Sequence, residues 1–409
     1  MVSTTHINLT DADTSATLVS GQTYVVGNTA SSAGDVTAWY DNNLVMTGKA
    51  DVTVNGYGTT VAFTDTAAES SVTLNAGDNT IKDLQNGSIN GASVAGNTFL
   101  DLSNIPGATS LIQVGAYSTF VDGRNLNIIA GAKSTFDGCT GGSITTGSDS
   151  HIDKFLQGTI TAGIKTVAGE IDTSSVELGR DSTVGKMIDD KLITDGTGVS
   201  VGILENSSVN TAQDDATGAY ANAGYGQFVV TDSLIGTNQI HAQSVDITMG
   251  SRDWNADLEV NTWGDSGSSI TGGTGNQHAT ETGAGKMTFI SADSNVHGAF
   301  TAVGGSGSDL FVANSSMNMT GGTGGGNTFD IMKTAAGARD VITDFTAAKH
   351  NTIDLTGFGL TQSGLADVLD HATVSSAGLA LHLNSNTTLT VADVHDTNTL
   401  TASNFSLLS

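Results

Sequence analysis

The sequence predicts an all-β protein whose body is an irregular parallel β-solenoid, and three observations support this. Glycine is abundant, with 52 residues in a chain of 409, and there is one proline. Short units of a small polar residue and a β-branched residue return between glycines or acids. Segments with the 3.6-residue period of amphipathic helices are almost absent. Such a chain is expected to form many short strands joined by tight turns.

The recurring units fill residues 61–300, which we predict to be the solenoid body. Each unit has an apolar residue that it cannot bury alone, whereas stacked units share a continuous core. A pair of β-sheets packed as a sandwich uses the same turn chemistry and is the alternative. Examples of the unit are Gly87–Ile89, Gly142–Ile144, Ser174–Val176, Ser207–Val209 and Ser268–Ile270.

Residues 1–60 form a separate predicted segment, with alternating strands such as Thr23–Val26 and Val52–Val54 and the aromatic pair Trp39 and Tyr40. An open solenoid end invites pairing with other chains. This segment is therefore either a β cap that covers the end or an assembly element that uses such pairing.

Two segments depart from the strand pattern. Lys186–Ile193 predicts a short helical turn or a loop. Ser363–His371 places Leu365, Val368 and Leu369 on one helical face, with Ser363 as the expected N-cap residue. We expect this short helix to pack on the terminal strands.

Residues 301–409 begin with a glycine-rich turn. Gly304–Val312 reads GGSGSDLFV, which matches the calcium β-roll pattern G-G-x-G-x-D-x-U-x. In this pattern the glycines turn with positive φ and direct carbonyl oxygens inward, and Asp309 adds a hard anionic oxygen suited to Ca²⁺. A second turn, Gly321–Phe329, has an extra residue and carries Asn327 where an aspartate is expected. A third, Gly272–Asn276, lacks an aspartate.

Together with Asp340–Phe345 (DVITDF) and Asn351–Leu355 (NTIDL), these turns resemble the C-terminal region of bacterial repeats-in-toxin (RTX) proteins. The resemblance covers roughly a quarter of the chain. It implies a C-terminal β-roll-like segment with terminal β-strands, calcium as cofactor, and export by type I secretion. Leu400–Ser409 would then be the uncleaved export signal. The body is similar to the β-solenoids of surface-layer proteins and adhesins.

The resemblance also implies a set of calcium-site residues. A β-roll calcium ion is shared between successive turns, so one complete motif predicts one or two ions rather than an array. The alternative is a plain glycine turn between two strands. The predicted metal-site residues are Gly305, Gly307, Asp309, Gly322, Gly324, Asn327 and Asp330.

The chain is strongly acidic, with 41 acidic and 14 basic residues and a net charge of −27. Nucleic-acid binding is not expected, because phosphate contacts need clustered Lys and Arg. Direct binding to an anionic membrane is disfavoured for the same reason. Self-repulsion of this size calls for neutralising cations, and extracellular calcium would supply them.

The sequence predicts an extracellular or cell-surface location without a Sec signal peptide. Its first residues lack a basic segment followed by an apolar one, and no apolar stretch is long enough to cross a bilayer as a helix. The single cysteine, Cys139, excludes an internal disulfide. The lack of a signal peptide would ordinarily indicate a cytoplasmic protein. The RTX resemblance reverses this inference, because it implies type I secretion.

Motifs that carry catalysis are missing from the sequence. There is no H-E-x-x-H, G-x-S-x-G or P-loop pattern. The carboxylate pairs Asp189–Asp190 and Asp214–Asp215 are interpreted as solvated loops, because adjacent strand residues point to opposite faces. The tryptophans Trp39, Trp254 and Trp263 are scattered, which does not favour a sugar-binding cleft. We therefore predict a protein without enzyme activity.

These observations favour a secreted structural or adhesive protein. It would self-associate as a homopolymer into a surface layer, matrix or filament, with calcium assisting folding or assembly. The alternative is a β-helix that binds or modifies cell-surface polysaccharide, as a lyase, epimerase or hydrolase. A third option is a flat threonine-rich face that binds ice or another ordered surface.

Overall fold

The computed structural model of the protein describes residues 4–106, 110–194, 198–211, 213–214, 220–221, 227–250, 255–264, 267–293, 299–334 and 337–408. The chain divides into two compact units, Met1–Leu192 and Ile193–Ser409. Strands hold 53% of the residues and helices 6%, and the strands stack as parallel coils. The predicted all-β parallel solenoid is therefore confirmed, in preference to a β-sandwich.

Short strands separated by tight corners make up the first unit. The strands that begin in it are β1 (Thr4–Leu9), β2 (Ser15–Thr17), β3 (Thr23–Asn28), β4 (Gly34–Ala38), β5 (Asn43–Met46), β6 (Ala50–Val54), β7 (Thr60–Phe63), β8 (Ser71–Leu74), β9 (Thr80–Lys82), β10 (Ser88–Gly91), β11 (Thr98–Leu100), β12 (Leu111–Val114), β13 (Thr119–Val121), β14 (Arg124–Ala130), β15 (Thr135–Asp137), β16 (Cys139–Thr146), β17 (His151–Leu156), β18 (Thr159–Ala162), β19 (Val167–Asp172), β20 (Ser175–Leu178), β21 (Thr183–Ile188) and β22 (Lys191–Thr194).

Two parallel ladders run through this unit. One joins the odd-numbered strands from β1 to β21. The other joins the even-numbered strands from β2 to β20. Coils therefore contribute strands to both ladders, and a third, shorter row of parallel pairings includes Cys139 with Phe155 and Thr140 with Leu156. Side chains alternate between the interior and the outside.

Coil length varies along the first unit. Thr80 is the register partner of Thr60 on the preceding coil and of Thr98 on the following one, and these two coils differ in length. From Thr119 onward the coils are shorter and of constant length, since the successive register partners are Thr119, Thr135, His151, Val167 and Thr183. The first sixty residues belong to the same two ladders as the rest of the unit.

Aromatic stacking fills part of the interior of this unit. Phe99, Phe120 and Phe136 are fully buried on successive coils, with ring centroids 4.7 and 5.1 Å apart. Their strands β11, β13 and β15 are register partners, so identical side chains from successive coils meet face to face. Such contacts add to the free energy of burying the rings.

A buried polar column lies beside this apolar core. In it, a side-chain oxygen accepts a hydrogen bond from a backbone N–H of the preceding coil, as Asn79 does from Thr59 (2.9 Å) and Ser182 from Thr166 (3.1 Å). Buried backbone donors need such partners. The column supplies such partners between successive coils. Its members are Asn42, Thr59, Asn79, Asn97, Ser118, Ser134, Ser150, Thr166 and Ser182.

Several charged residues of the first unit lie at its corners. Asp41, Asp78, Lys133, Asp149 and Asp181 occupy corner positions with φ between 54° and 59°, in the left-handed region. Aspartate tolerates this conformation better than most residues, because its short side chain hydrogen-bonds locally. Part of the acidity seen in the composition therefore serves to turn the chain.

The second unit has the same architecture. Its strands are β23 (Ser200–Glu205), β24 (Ser208–Asn210), β25 (Gln213–Asp214), β26 (Tyr220–Ala221), β27 (Gln227–Ala242), β28 (Ser244–Thr248), β29 (Asn255–Thr262), β30 (Ser268–Thr271), β31 (Asn276–Glu281), β32 (Met287–Ile290), β33 (Phe300–Val303), β34 (Leu310–Ala313), β35 (Met317–Thr320), β36 (Thr328–Ile331), β37 (Ala338–Ile342), β38 (Thr352–Asp354), β39 (Thr373–Ser375), β40 (Gly378–His382), β41 (Thr387–Val391) and β42 (Phe405–Ser406).

Two parallel ladders also run here, from β27 to β41 and from β28 to β42. The terminal strands β39, β40 and β41 pair antiparallel. Phe289, Phe311 and Phe329 form a second buried stack, with centroid distances of 5.1 and 5.0 Å. Phe311, the apolar residue of the nonapeptide, therefore fills the interior as predicted.

Two local predictions need correction. Lys186–Ile193 is neither helical nor a plain loop, since it belongs to β21 and β22 on both sides of a corner. The C-terminal helix α1 (Gln362–Asp370) exists as predicted, but its N-cap is Thr361, whose Oγ1 accepts a hydrogen bond from the Gly364 N–H. Among the described residues, no helix has the length and apolarity needed to cross a membrane.

Candidate functional site

The predicted calcium-site glycines lie at one corner of successive coils in the second unit. A Cβ atom on Gly305 would overlap the carbonyl oxygen of Gly283, and one on Gly324 would overlap that of Gly307. Of the four predicted glycines, Gly322 alone has a positive φ, of 78°. The expected left-handed turn is therefore wrong for the other three. They are glycines because the backbones of neighbouring coils touch there.

Carbonyl oxygens at this corner accept hydrogen bonds from the protein itself. Gly305 O accepts from the N–H groups of Thr323 (3.0 Å) and Gly324 (3.1 Å). Gly322 O accepts from the ammonium of Lys349 at 2.9 Å. A metal ion bound through these oxygens would compete with the hydrogen bonds, and at Gly322 with a cation that the chain supplies.

Asp309 is buried and serves the backbone. Its Oδ1 accepts a hydrogen bond from the Met287 N–H (3.0 Å) and its Oδ2 accepts from the Gly305 N–H (3.1 Å). Its own N–H donates to Asn327 Oδ1 at 2.8 Å, and the Asn327 N–H donates to Asn351 Oδ1 at 3.1 Å. Asp309 is thus one member of a polar column like that of the first unit. This explains how Asn327 replaces an aspartate in the second turn.

Asp330 lies apart from the other predicted metal-site residues. It follows Asn327 by three residues on β36, about 10 Å along a strand, and its partly buried side chain neighbours Asp354 of the next coil. Burial and then the Asp354 charge raise the pKa of Asp330. The structure therefore brings the glycines, Asp309 and Asn327 to one corner and leaves Asp330 outside it.

Glu281 belongs to the same region, and sequence reasoning missed it. Its Oε1 accepts hydrogen bonds from the N–H groups of Thr262 (3.0 Å) and Gly283 (2.8 Å). Its Oε2 is buried and has no hydrogen-bond partner among the described residues. Burial raises the pKa of Glu281 to about 7, and the nearby Asp309 charge adds to this. The only sequence signal was a glutamate two residues before a glycine turn.

A second buried acid, Asp340, lies further along the unit. Its Oδ1 accepts from the Met317 N–H at 3.1 Å, and its Oδ2 has no partner among the described residues. Burial raises the pKa of Asp340 to about 7. The segment Asp340–Phe345 therefore begins with an interior carboxyl whose charged form is disfavoured by burial.

The carboxylate pairs considered for catalysis do not form a two-carboxylate site in the part of the chain that the structure describes. Asp189 is exposed at a corner, whereas Asp190 is buried and accepts from the N–H groups of Ser174 (2.6 Å) and Ile188 (2.9 Å). The solvated-loop interpretation is therefore wrong for Asp190, whose pKa burial raises to about 6. The pair Asp214–Asp215 lies outside the side chains that the structure describes, as does Trp254.

An uncharged surface covers one face of the first unit. It consists of two columns of register partners whose side chains point outward from β8, β10, β12, β14, β16 and β18. All twelve side chains in these columns carry no charge, and we call this surface the hydroxyl face. Its members are Ser71, Thr73, Ser88, Asn90, Leu111, Gln113, Asn127, Ile129, Ser143, Thr145, Thr159 and Thr161.

Comparisons with protein families, curated proteins and solved structures gave no match to this chain. Within the described ranges, no group of three or more His, Cys, Asp or Glu side chains converges on a potential metal position. Calcium binding at the corner that holds Gly305, Gly307, Gly322 and Gly324 stays a prediction.

Proposed function

We propose that the protein is a secreted structural or adhesive protein that self-associates into an extracellular layer, matrix or filament. The hydroxyl face is the observation that supports this most. A chain with a net charge of −27 repels its copies. Because the hydroxyl face is uncharged, two copies can approach there without that cost. Its hydroxyl and amide groups then supply hydrogen bonds across the contact.

Two isosteric charges placed on this face should weaken the association. Gln113 and Asn127 lie near its centre, on neighbouring coils. We expect Gln113→Glu with Asn127→Asp to raise the protein concentration needed for assembly about tenfold, since like charges across an interface repel. Sedimentation and negative-stain electron microscopy over a concentration series would measure the change. High salt should restore assembly by screening.

The matched control adds the same two charges at corners. Gln157 and Asn86 have φ of 58° and 50°, and aspartate is common at equivalent corners. Gln157→Glu with Asn86→Asp should assemble like the parent protein. Equal loss in both double variants, or a parent protein that stays monomeric at every concentration, would contradict assembly through the hydroxyl face.

Calcium is the cofactor we propose for the second unit, with Glu281 and Asp309 as the residues that would hold it. The support is the buried Glu281 Oε2, which has no partner in the described chain, beside a second carboxyl. Ca²⁺ prefers carboxylate and carbonyl oxygens. When bound, it would supply the positive charge that two neighbouring buried carboxylates lack. Protons and calcium should then compete for this position.

Calcium should therefore stabilise the parent protein and not a Glu281→Gln variant. A ligand at about 100 times its dissociation constant stabilises a fold by about 2.7 kcal/mol. Urea unfolding followed by circular dichroism, in chelator and in CaCl₂ at pH 7.5, would measure the difference. The control is Glu259→Gln, which neutralises an exposed acid on β29. Equal calcium stabilisation in all three proteins would rule out Glu281 as a calcium residue.

A further inference from the structure

Three exposed aromatic side chains form a cluster at one corner of the first unit. Trp39 and Tyr40 directly follow β4, and Tyr57 lies one coil further on. The ring centroids of Trp39 and Tyr40 are 6.4 Å apart, and those of Tyr40 and Tyr57 are 4.9 Å apart. Solvent reaches 40%, 42% and 58% of the three residues in turn. We call this cluster the aromatic corner.

Contacts between coils hold the aromatic corner in place. The Tyr40 ring lies against Gly56, where a Cβ atom would come within 2.6 Å of Tyr40 Cδ1. Thr59 Oγ1 donates to the Trp39 carbonyl (2.6 Å), and the Asp41 N–H donates to the Tyr57 carbonyl (3.0 Å). The backbone beneath the rings is thus fixed before any ligand arrives, which lowers the entropy lost on binding.

The chemistry of the cluster selects a neutral ligand with apolar faces and polar edges. The face of an aromatic ring is negative and attracts the slightly positive C–H bonds of a sugar ring. Asp41 directly follows Tyr40, and Gln22 follows Gly21, whose N–H donates to the Tyr40 carbonyl; both side chains are exposed and can hydrogen-bond hydroxyls. The turns 19–22, 39–41 and 55–58 contain no Lys or Arg. Nucleic acids and anionic lipids are therefore poor partners, since their phosphates need cations.

We propose that the aromatic corner is a binding site for a neutral polysaccharide. Its rings come from two successive coils, with interplanar angles of 39° between Trp39 and Tyr40 and 64° between Tyr40 and Tyr57, so they present faces and edges at an open corner. An open corner of this kind admits a segment of a polysaccharide chain, whose ends can extend past the rings on both sides. This site lies at a corner of the unit and is independent of the hydroxyl face.

Affinity electrophoresis in native gels would test this proposal. The gels would contain hydroxyethyl cellulose, dextran or galactomannan, and retardation gives the affinity. At least one of these polymers should retard the parent protein, and Trp39→Ala or Tyr57→Ala should weaken binding about tenfold. The control is Tyr117→Ala. Tyr117 is also 58% exposed but packs beside Lys133, with Nζ 5.4 Å from its ring centroid.

Other outcomes would overturn the proposal. Unchanged migration of the parent protein in all three polymers would exclude a neutral glycan site. If Tyr117→Ala weakened polysaccharide binding equally, the polymer would be binding exposed aromatic side chains in general. Displacement by millimolar tetramethylammonium chloride would identify a cage for organic cations. If Trp39→Ala misfolds by circular dichroism, Tyr57→Phe should bind like the parent protein while Tyr57→Ala does not.

Discussion

Replacement of Phe311 by alanine should lower the free energy of unfolding of the second unit by about 4 kcal/mol. The ring is fully buried and stacked between Phe289 and Phe329 at 5.1 and 5.0 Å. Truncation removes the transfer free energy and leaves a cavity between two coils that backbone ladders hold apart. Because each coil contacts mainly its neighbours, the loss weakens the coupling between the coils on either side.

Urea unfolding followed by far-ultraviolet circular dichroism would measure this loss. The control is Leu310→Ala, which truncates the outward neighbour of Phe311 on the same strand. We expect it to cost less than about 1.5 kcal/mol, because that side chain is only partly buried. Similar losses for the two variants would contradict the role assigned to the phenylalanine stack.

Raising the pH from 5 to 8.5 should destabilise the second unit by several kcal/mol. Burial raises the pKa of Glu281 from 4.5 and of Asp340 from 3.8, both to about 7. At pH values between the pKa in the unfolded chain and the pKa in the folded protein, each carboxyl is protonated in the folded protein and ionised in the unfolded chain. The free energy of unfolding therefore falls as the pH rises through this range. From pH 5 to a folded pKa of about 7 this range covers about two pH units. Each carboxyl therefore lowers the free energy of unfolding by about 3 kcal/mol.

Variants without these carboxyls should show a flatter pH profile. Asp340→Asn keeps an acceptor for the Met317 N–H and removes the charge. It should therefore reduce the loss of stability on raising the pH by about 3 kcal/mol. Urea unfolding at constant ionic strength and in chelator would measure it. Asp370→Asn, at an exposed position on α1, is the control and should keep the parent slope. A parent protein equally stable at both pH values would show that the carboxyls find other partners.

The calcium turn shows how a motif can be recognised while its geometry stays hidden. Gly304–Val312 matches the β-roll pattern at each defined position, and its Phe311 is interior as expected. In the structure Asp309 accepts hydrogen bonds from two backbone N–H groups, and Asn327 and Asn351 act as acceptors in the same column on later coils. A sequence pattern of nine residues contains no information about which backbone N–H groups the neighbouring coil will present. The polar column therefore could not be predicted from it.

The sequence by itself determined the fold class, because its information is local. A small polar residue followed by an apolar β-branched one predicts a strand whose apolar side chain is buried by the equivalent strand of the next coil. Glycine and aspartate mark corners that need unusual backbone conformations. These preferences act within a few residues. They predict stacked coils without fixing which coil residues become neighbours.

Only the tertiary structure decided which side chains meet, because the coils differ in length. Tyr57 joins Trp39 and Tyr40, and Glu281 lies near Asp309, through register between strands of successive coils. Coils of unequal length place such partners at no constant spacing along the sequence. The raised pKa values of Glu281 and Asp340 likewise depend on burial by other coils. Hydrophobic periodicity predicts which side of a strand is buried. The register between strands of successive coils depends instead on the lengths of the turns that join them.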